Sequence, residues 1–498
     1  MRAFWILMLL SLSGLGCKAQ SQNFQAEYEK FKKAVSNRYT SFREESNKRY
    51  ADFLRHAWTR FNAEKALEEP ERNTKPPVIY NDSLENEKNL QEAIGDKNHG
   101  KSILPTIVEP VRPLPQPKPI EPVREDPLSD DKYFSFKFYG LEPKVRMSES
   151  ARLSIPNPTP EVLARHWEYL SGSSLNNTIR DCLENRIRYK LNDWAYLQFL
   201  WQLASSFVKD ENGATFLTAF LFCQSGYQTR LAKDEDTLFL LFGCEHLIYK
   251  VPYFVKDGYS FYPFRHRPQS IQFCDARFEG EKPLSLIITE EPYLGDSLTE
   301  SKEIKSKRYE NVRGTSRVPE ALINFYNEYP TGNVTKNSLS RWAMYANAPI
   351  SAKTRDCLYP DLQNSIANMS EEEAANRLLN WVQTGFEYEY DDKIWGDDRA
   401  FFAEETLYYP YSDCEDRSIL FSHLMRDLLN LDVALIYYPG HLATAVKFNS
   451  DISGANILID NLKYVICDPT YIGAPVGKQM PGMNSSEAEA ILLNRIIK

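Results

Sequence analysis

Three residues near the end of the chain have the types and the order of a nucleophilic site: Cys414, His441 and Asp468. A thiol attacks only as its thiolate, so it needs a neighbour that takes its proton. An imidazole can do this and later return the proton to a leaving group, while a carboxylate holds the imidazole tautomer and stabilises its protonated form. The intervals Cys414–His441 and His441–Asp468 are both 27 residues. The equality is not itself diagnostic.

The surrounding sequence supplies elements that can position the three groups. After Cys414, the residues Ile419, Leu420, Leu424, Leu428 and Leu429 recur at helical spacing, and Asn430 stands where a C-terminal cap would fall. Cys414 therefore sits in the first helical turn with Asp413 as cap, where free N–H groups and the helix dipole favour a thiolate. Glu415 and Asp416 oppose that effect, so a separate base is required. VALIYY and HLATAVKF read as paired strands around Pro439–Gly440, and LKYVIC as a third strand ending at Asp468 before Pro469. His423 lies nine residues after Cys414 on the same helix, roughly 13 Å along its axis, too far to serve as base. Oxyanion donors beyond the Cys414 N–H are sought in Tyr409, Tyr411, Trp395 and Gln383, of which the tyrosines read equally as groove walls.

DCEDRSILFSHLMRDLL followed by GHLATAV and CDPTY resembles the core of the transglutaminase-like superfamily, which includes bacterial cysteine-protease-like members. The resemblance spans about Ser370 to Gly477 and is carried most specifically by DPT. It implies an α+β fold with a papain/transglutaminase-like core, a helix packed on an antiparallel sheet, and a catalytic triad at Cys414, His441 and Asp468. Ala443 replaces the aromatic residue usual two positions after the histidine, which alters the expected substrate groove.

The remainder of the chain reads as an exported, multi-part protein. Its 498 residues exceed one ordinary core, and a net charge of -9 without a long basic run argues against nucleic acid as the main partner. Residues 1–19 have the outline of a secretory signal, with an apolar run too short to span a membrane. A lipoprotein signal ending at residue 16 would instead leave Cys17 as a membrane tether. Residues 23–70 carry apolar groups in an eleven-residue repeat and predict one long amphipathic helix, docked on the protein's own body or self-associating. Residues 71–131 are polar and then proline-rich, a spacer. Seven further cysteines, an odd number, leave at least one free, intermolecular or reactive thiol in an oxidising compartment, while their scattered spacing without CxxC also suits mostly buried, reduced thiols. No zinc or EF-hand pattern is present, and the acidic loop YDDKIWGDDR reads as solvated; neither metal nor cofactor is expected.

Residues 132–290 predict a second α+β unit, 291–361 a mostly helical connection, and 362–498 the catalytic domain, opened by a helix with Ser370 and Glu373 at capping-box spacing. Offset by 204 residues, 132–290 aligns without gaps on the Cys414 region, Asp210 over Cys414 and Thr237 over His441, which suggests a duplication whose first copy has lost the triad. The expected function is an exported periplasmic or envelope-attached cysteine enzyme acting on amides of peptides or proteins, with cell-wall peptides among the available substrates. Water as acceptor makes it a peptidase or amidase and an amine makes it a transamidase. The alternative is a non-catalytic envelope scaffold; an acyltransferase would need a cytosolic thioester donor.

Overall fold

The structure is a computed structural model describing residues 43–70, 74–81, 106–108, 126, 130–172, 175–483 and 487–494. The leader with Cys17 and residues 23–42 of the long helix lie outside the described residues. The helix is seen over 43–56 and stops there instead of reaching Pro70. The Ala57 N–H donates to Phe53 O at 2.8 Å and the Trp58 indole to Leu54 O at 2.6 Å, closing the last turn. Trp58–Asn62 then runs antiparallel to Ser270–Cys274. An open sheet edge offers unpaired backbone groups, and pairing with it satisfies the chain in place of further helix. The helix docks on the protein itself, burying Tyr50 against Trp167 with ring centroids 3.8 Å apart.

The α+β class is observed, built around two six-stranded sheets with one strand order. The first runs Phe254–Lys256, Tyr259–Pro263, Thr237–Cys244, Thr229–Asp234, Ser270–Cys274, Trp58–Asn62. The second runs Asn456–Ile459, Leu462–Cys467, His441–Lys447, Asp432–Tyr438, Glu489–Leu492, Thr106–Val108. In each, a helix leads into a central hairpin, later strands add on both sides, and a segment of the N-terminal arm closes one edge. That outer strand is antiparallel in the first sheet and parallel in the second.

The correspondence is not gapless. The helix N-caps Asp210 and Asp413 are 203 positions apart, whereas the left-handed residues ending the helices, Gly226 and Asn430, are 204 apart. One more residue lies between Asp413 and Asn430 than between Asp210 and Gly226, so Glu211, the first residue after its N-cap, stands where Cys414 does. The hairpins keep the offset of 204: Asp234 pairs with Thr237 as Tyr438 pairs with His441.

Two parts of the chain are more integrated than expected. The proline-rich stretch is not only a spacer, because Thr106–Val108 pairs with Glu489–Ile491 at the edge of the second sheet and Val78–Ile79 forms a separate two-stranded pair with Tyr471–Ile472. The connection 291–361 contains a hairpin, Lys302–Lys305 with Arg313–Ser316, and its Trp342 is fully buried in the core that also holds Cys414 and Leu442. None of the seven cysteines described forms a disulfide, and only Cys357 among them is not fully buried. No helix among the described residues is long and apolar enough to cross a membrane.

Candidate active site

The site is assembled by one helix and two strands. Asp413 caps the helix Cys414–Leu429 by accepting the Glu415 N–H at 3.2 Å, and Asp416 reaches back to the Asp413 N–H at 3.2 Å. This reciprocal cap sets the first turn. Ile419, Leu420 and Leu424 are completely buried, and truncating such a leucine would cost about 2–5 kcal/mol. One turn after Cys414, the Ser418 hydroxyl donates to Leu442 O at 3.0 Å, tying the start of the helix to the start of the strand that carries His441. Pro439 and Gly440, the latter at φ +79°, make the two-residue turn into that strand.

His441 and Asp468 are brought into hydrogen-bond contact. His441 Nε2 lies 2.8 Å from Asp468 Oδ2, while the buried Nδ1 has no hydrogen-bond partner. The DPT sequence explains the carboxylate's fixed orientation: its other oxygen, Oδ1, accepts from Thr470 N at 2.9 Å, Thr470 Oγ1 at 3.0 Å and Tyr471 N at 3.1 Å. Burial alone would push the Asp468 carboxyl up, but the charge and hydrogen bond of His441, helped by Thr470, hold it below its ordinary value.

Cys414 is at the helix start as expected, yet its thiol donates to Glu415 Oε2 at 3.2 Å. Around it the N-terminal turn is crowded with acids. Burial, then the charges of Glu415 and Asp391, push the carboxyls of Asp413 and Asp416 well above the usual range. The acidic loop is therefore not simply solvated. Asp391 is buried and accepts the Arg399 N–H at 2.7 Å, Asp398 accepts from Arg341 at 2.6 Å, and oxygens of Asp391, Asp398 and Glu415 lie within 4.8 Å of one another.

Two residues that sequence reasoning passed over belong to this environment. Arg417, three positions after Cys414, is buried and donates to Ser412 Oγ at 3.1 Å, Gln383 O at 3.0 Å and Phe386 O at 3.0 Å. Burial lowers its guanidinium to about 10 against the opposing charges of Tyr388, Asp413, Asp416 and Cys414. Tyr388 lies over that guanidinium at 5.3 Å, and its hydroxyl is buried without a hydrogen-bond partner. Burial, then Cys414, Asp413 and Glu415, raise the phenol well above its ordinary value. The available signal for Arg417 was a lone cation one turn into an acidic helix start. Nothing local singled out Tyr388.

The four expected oxyanion or groove residues have other partners. Gln383 Nε2 donates to the carbonyls of Asp468 (3.0 Å), Tyr471 (2.8 Å) and Ala474 (3.0 Å), and its Oε1 accepts from Gly473 N at 3.0 Å. It holds the loop that follows Asp468. The Tyr409 hydroxyl donates to Asn327 Oδ1 at 2.8 Å, and Trp395 packs edge-on to Tyr409 at 4.9 Å. Tyr411 pairs with Glu387, which places Tyr388 level with Ser412, two residues before the cysteine. His423 is buried, and burial followed by Arg426 and Arg355 holds its imidazole well below its usual value, consistent with a structural residue.

The corresponding positions of the first sheet carry different chemistry. Glu211 and Thr237 occupy the places of Cys414 and His441. Phe264 donates to Leu240 O at 2.9 Å as Cys467 pairs with Thr444, so Arg265 occupies the place of Asp468. Arg265 rests 5.0 Å over Trp201, and Glu211 lies 3.7 Å from His266. No family model matches the chain, and no match was found among curated proteins or solved structures.

Proposed function

We propose that the chain is a transglutaminase-like cysteine enzyme acting on amide bonds of peptides or proteins. The observation that carries this reading is the buried His441 ring, bound through Nε2 to an oriented carboxylate and left with an unpartnered Nδ1. With Asp468 ionised, the neutral ring carries its proton on Nε2 and donates it to Oδ2, so Nδ1 is the lone-pair nitrogen. It accepts the Cys414 proton, and the sulfur forms a bond to the amide carbonyl carbon. Collapse breaks the C–N bond as the imidazolium protonates the departing amine, leaving a thioester. Water, deprotonated at Nδ1, then releases a carboxylic acid and restores the thiol; an amine in place of water yields a new amide. The Tyr388 hydroxyl is an available side-chain donor for the oxyanion.

The matching strand orders support reading the two units as a duplication in which the first copy, with Glu211, Thr237 and Arg265, serves as a scaffold. An exported, envelope-attached setting belongs to the same proposal, with cell-wall or surface peptides as the available amides. The test is incubation of wild type and Cys414→Ala with a peptide library, with and without an added amine. New termini or new amides formed only by wild type support the enzyme. Inactivity of both favours a non-catalytic scaffold.

A further inference from the structure

Cys414, His441 and Asp468 have relative exposures of 0, 2 and 2%. A thiolate must approach an amide carbonyl to within bonding distance, so a closed site of this kind needs something to move. The N-terminal arm crosses beside it. The Lys75 N–H donates at 2.9 Å to the carbonyl of Gly440, the residue before His441, and the Lys75 ammonium to Gly482 O at 3.2 Å. Val78–Ile79 then runs parallel to Tyr471–Ile472, three residues beyond Asp468, and the Tyr80 N–H donates to Ile472 O at 2.9 Å. Tyr80 packs edge-on against Tyr471 at 5.4 Å and receives Lys478 over its ring at 5.7 Å. Thr74 and Asp413 border one cavity of about 670 Å³ next to the helix start.

The arm is bound as an extended peptide is bound by strand addition: its backbone donors meet the carbonyls of Gly440 and Ile472, and successive side chains point inward and outward. Val78 packs on Tyr471, Ala474 and Met480, while the next residue, Ile79, is 79% exposed. Between the two anchoring points lie Pro76 and Pro77, which lack N–H groups and hold the chain extended.

We propose that residues 74–80 are an intramolecular occupant of a peptide-binding edge formed by Gly440 and Tyr471–Ile472, and that an extended polypeptide substrate displaces them by pairing with the same carbonyls. The inference rests on the cysteine-enzyme reading and deepens it: the substrate class is an extended chain with free backbone N–H groups, and the full chain is held closed by its own arm.

The test measures alkylation of Cys414 by iodoacetamide, with the site identified by mass spectrometry, in the full-length protein. Lys75→Pro/Tyr80→Pro removes both backbone donors, and Val78→Ala/Tyr80→Ala removes the side-chain contacts while leaving the body of the protein untouched. Cys414 should react about tenfold or more faster in both variants, Cys182 and Cys223 should stay protected, and a synthetic peptide of sequence TKPPVIY should slow Cys414 again. Rates equal to wild type in the alanine variant overturn the proposal, including where the proline variant exposes every thiol by unfolding. Peptide-library turnover on the same variants separates this idea from the catalytic one. Fast alkylation without turnover retains the occupant and defeats the enzyme; turnover with unchanged alkylation does the reverse.

Discussion

His441 Nε2 and Asp468 Oδ2 stand 2.8 Å apart and the buried Nδ1 has no hydrogen-bond partner, so in the proposed mechanism Nδ1 takes the thiol proton. Asp468→Asn should therefore lower kcat by about 10²–10⁴-fold with little change in KM, because the amide stabilises the wrong tautomer and no longer supports an imidazolium. Steady-state kinetics on a peptide found active with wild type check this. The folded Asp468 carboxyl lies below its unfolded value near 3.9, so its stabilising contribution is complete above about pH 4 and is lost as pH falls through the depressed folded value. Acid unfolding of Asp468→Asn should lack that component.

Gln383 bonds three carbonyls in the turn that carries Asp468. Gln383→Leu leaves buried acceptors unsatisfied and should cost about 1–3 kcal/mol in urea unfolding. Because it acts through Asp468, kcat should fall more than KM rises, and the acidic limb of the pH–rate profile should move.

Arg417 joins the helix start to Gln383 and Phe386 while offsetting Asp413 and Asp416. Arg417→Met leaves that acid cluster without its buried cation, and a loss of about 3–5 kcal/mol is expected by denaturant titration. Added Asp413→Asn should recover part of it.

Glu404 is buried and accepts the Ser351 N–H, and burial first, with Glu291 and Glu405 adding, raises its carboxyl to about 7. A raised carboxyl pKa means that the folded state binds the proton more tightly. The stabilising effect is complete below the unfolded pKa near 4.5 and is lost as pH rises through 7, about 3 kcal/mol in all. Wild type should lose stability between pH 5 and 8, and Glu404→Gln should flatten that part of the curve in urea titrations followed by circular dichroism.

Helix and strand around Cys414 were legible because apolar residues such as Ile419, Leu420 and Leu424 recur at helical spacing, although Cys414 to Arg426 and most of the strand after His441 are buried on every face. The caps Asp413, Ser370 and Asn430 were legible for the same local reason. The helix expected to reach Pro70 failed at residue 57, where the open edge of Ser270–Cys274, more than two hundred positions away, offered the chain backbone partners. The gapless repeat failed within one helix, since an extra residue between Asp413 and Asn430 leaves the apolar pattern readable on either side.

What the sequence determined by itself was the identity and order of Cys414, His441 and Asp468 and the elements that bear them, all set by local patterning. Tertiary structure alone decided that Nε2 is the nitrogen given to Asp468 and that Gln383 fixes that carboxylate's loop. It also brought Tyr388, Arg417 and the arm at Lys75 to the site. These depend on contacts between residues remote in the chain, and a hydrogen bond's partner leaves no periodic trace in the residues that make it.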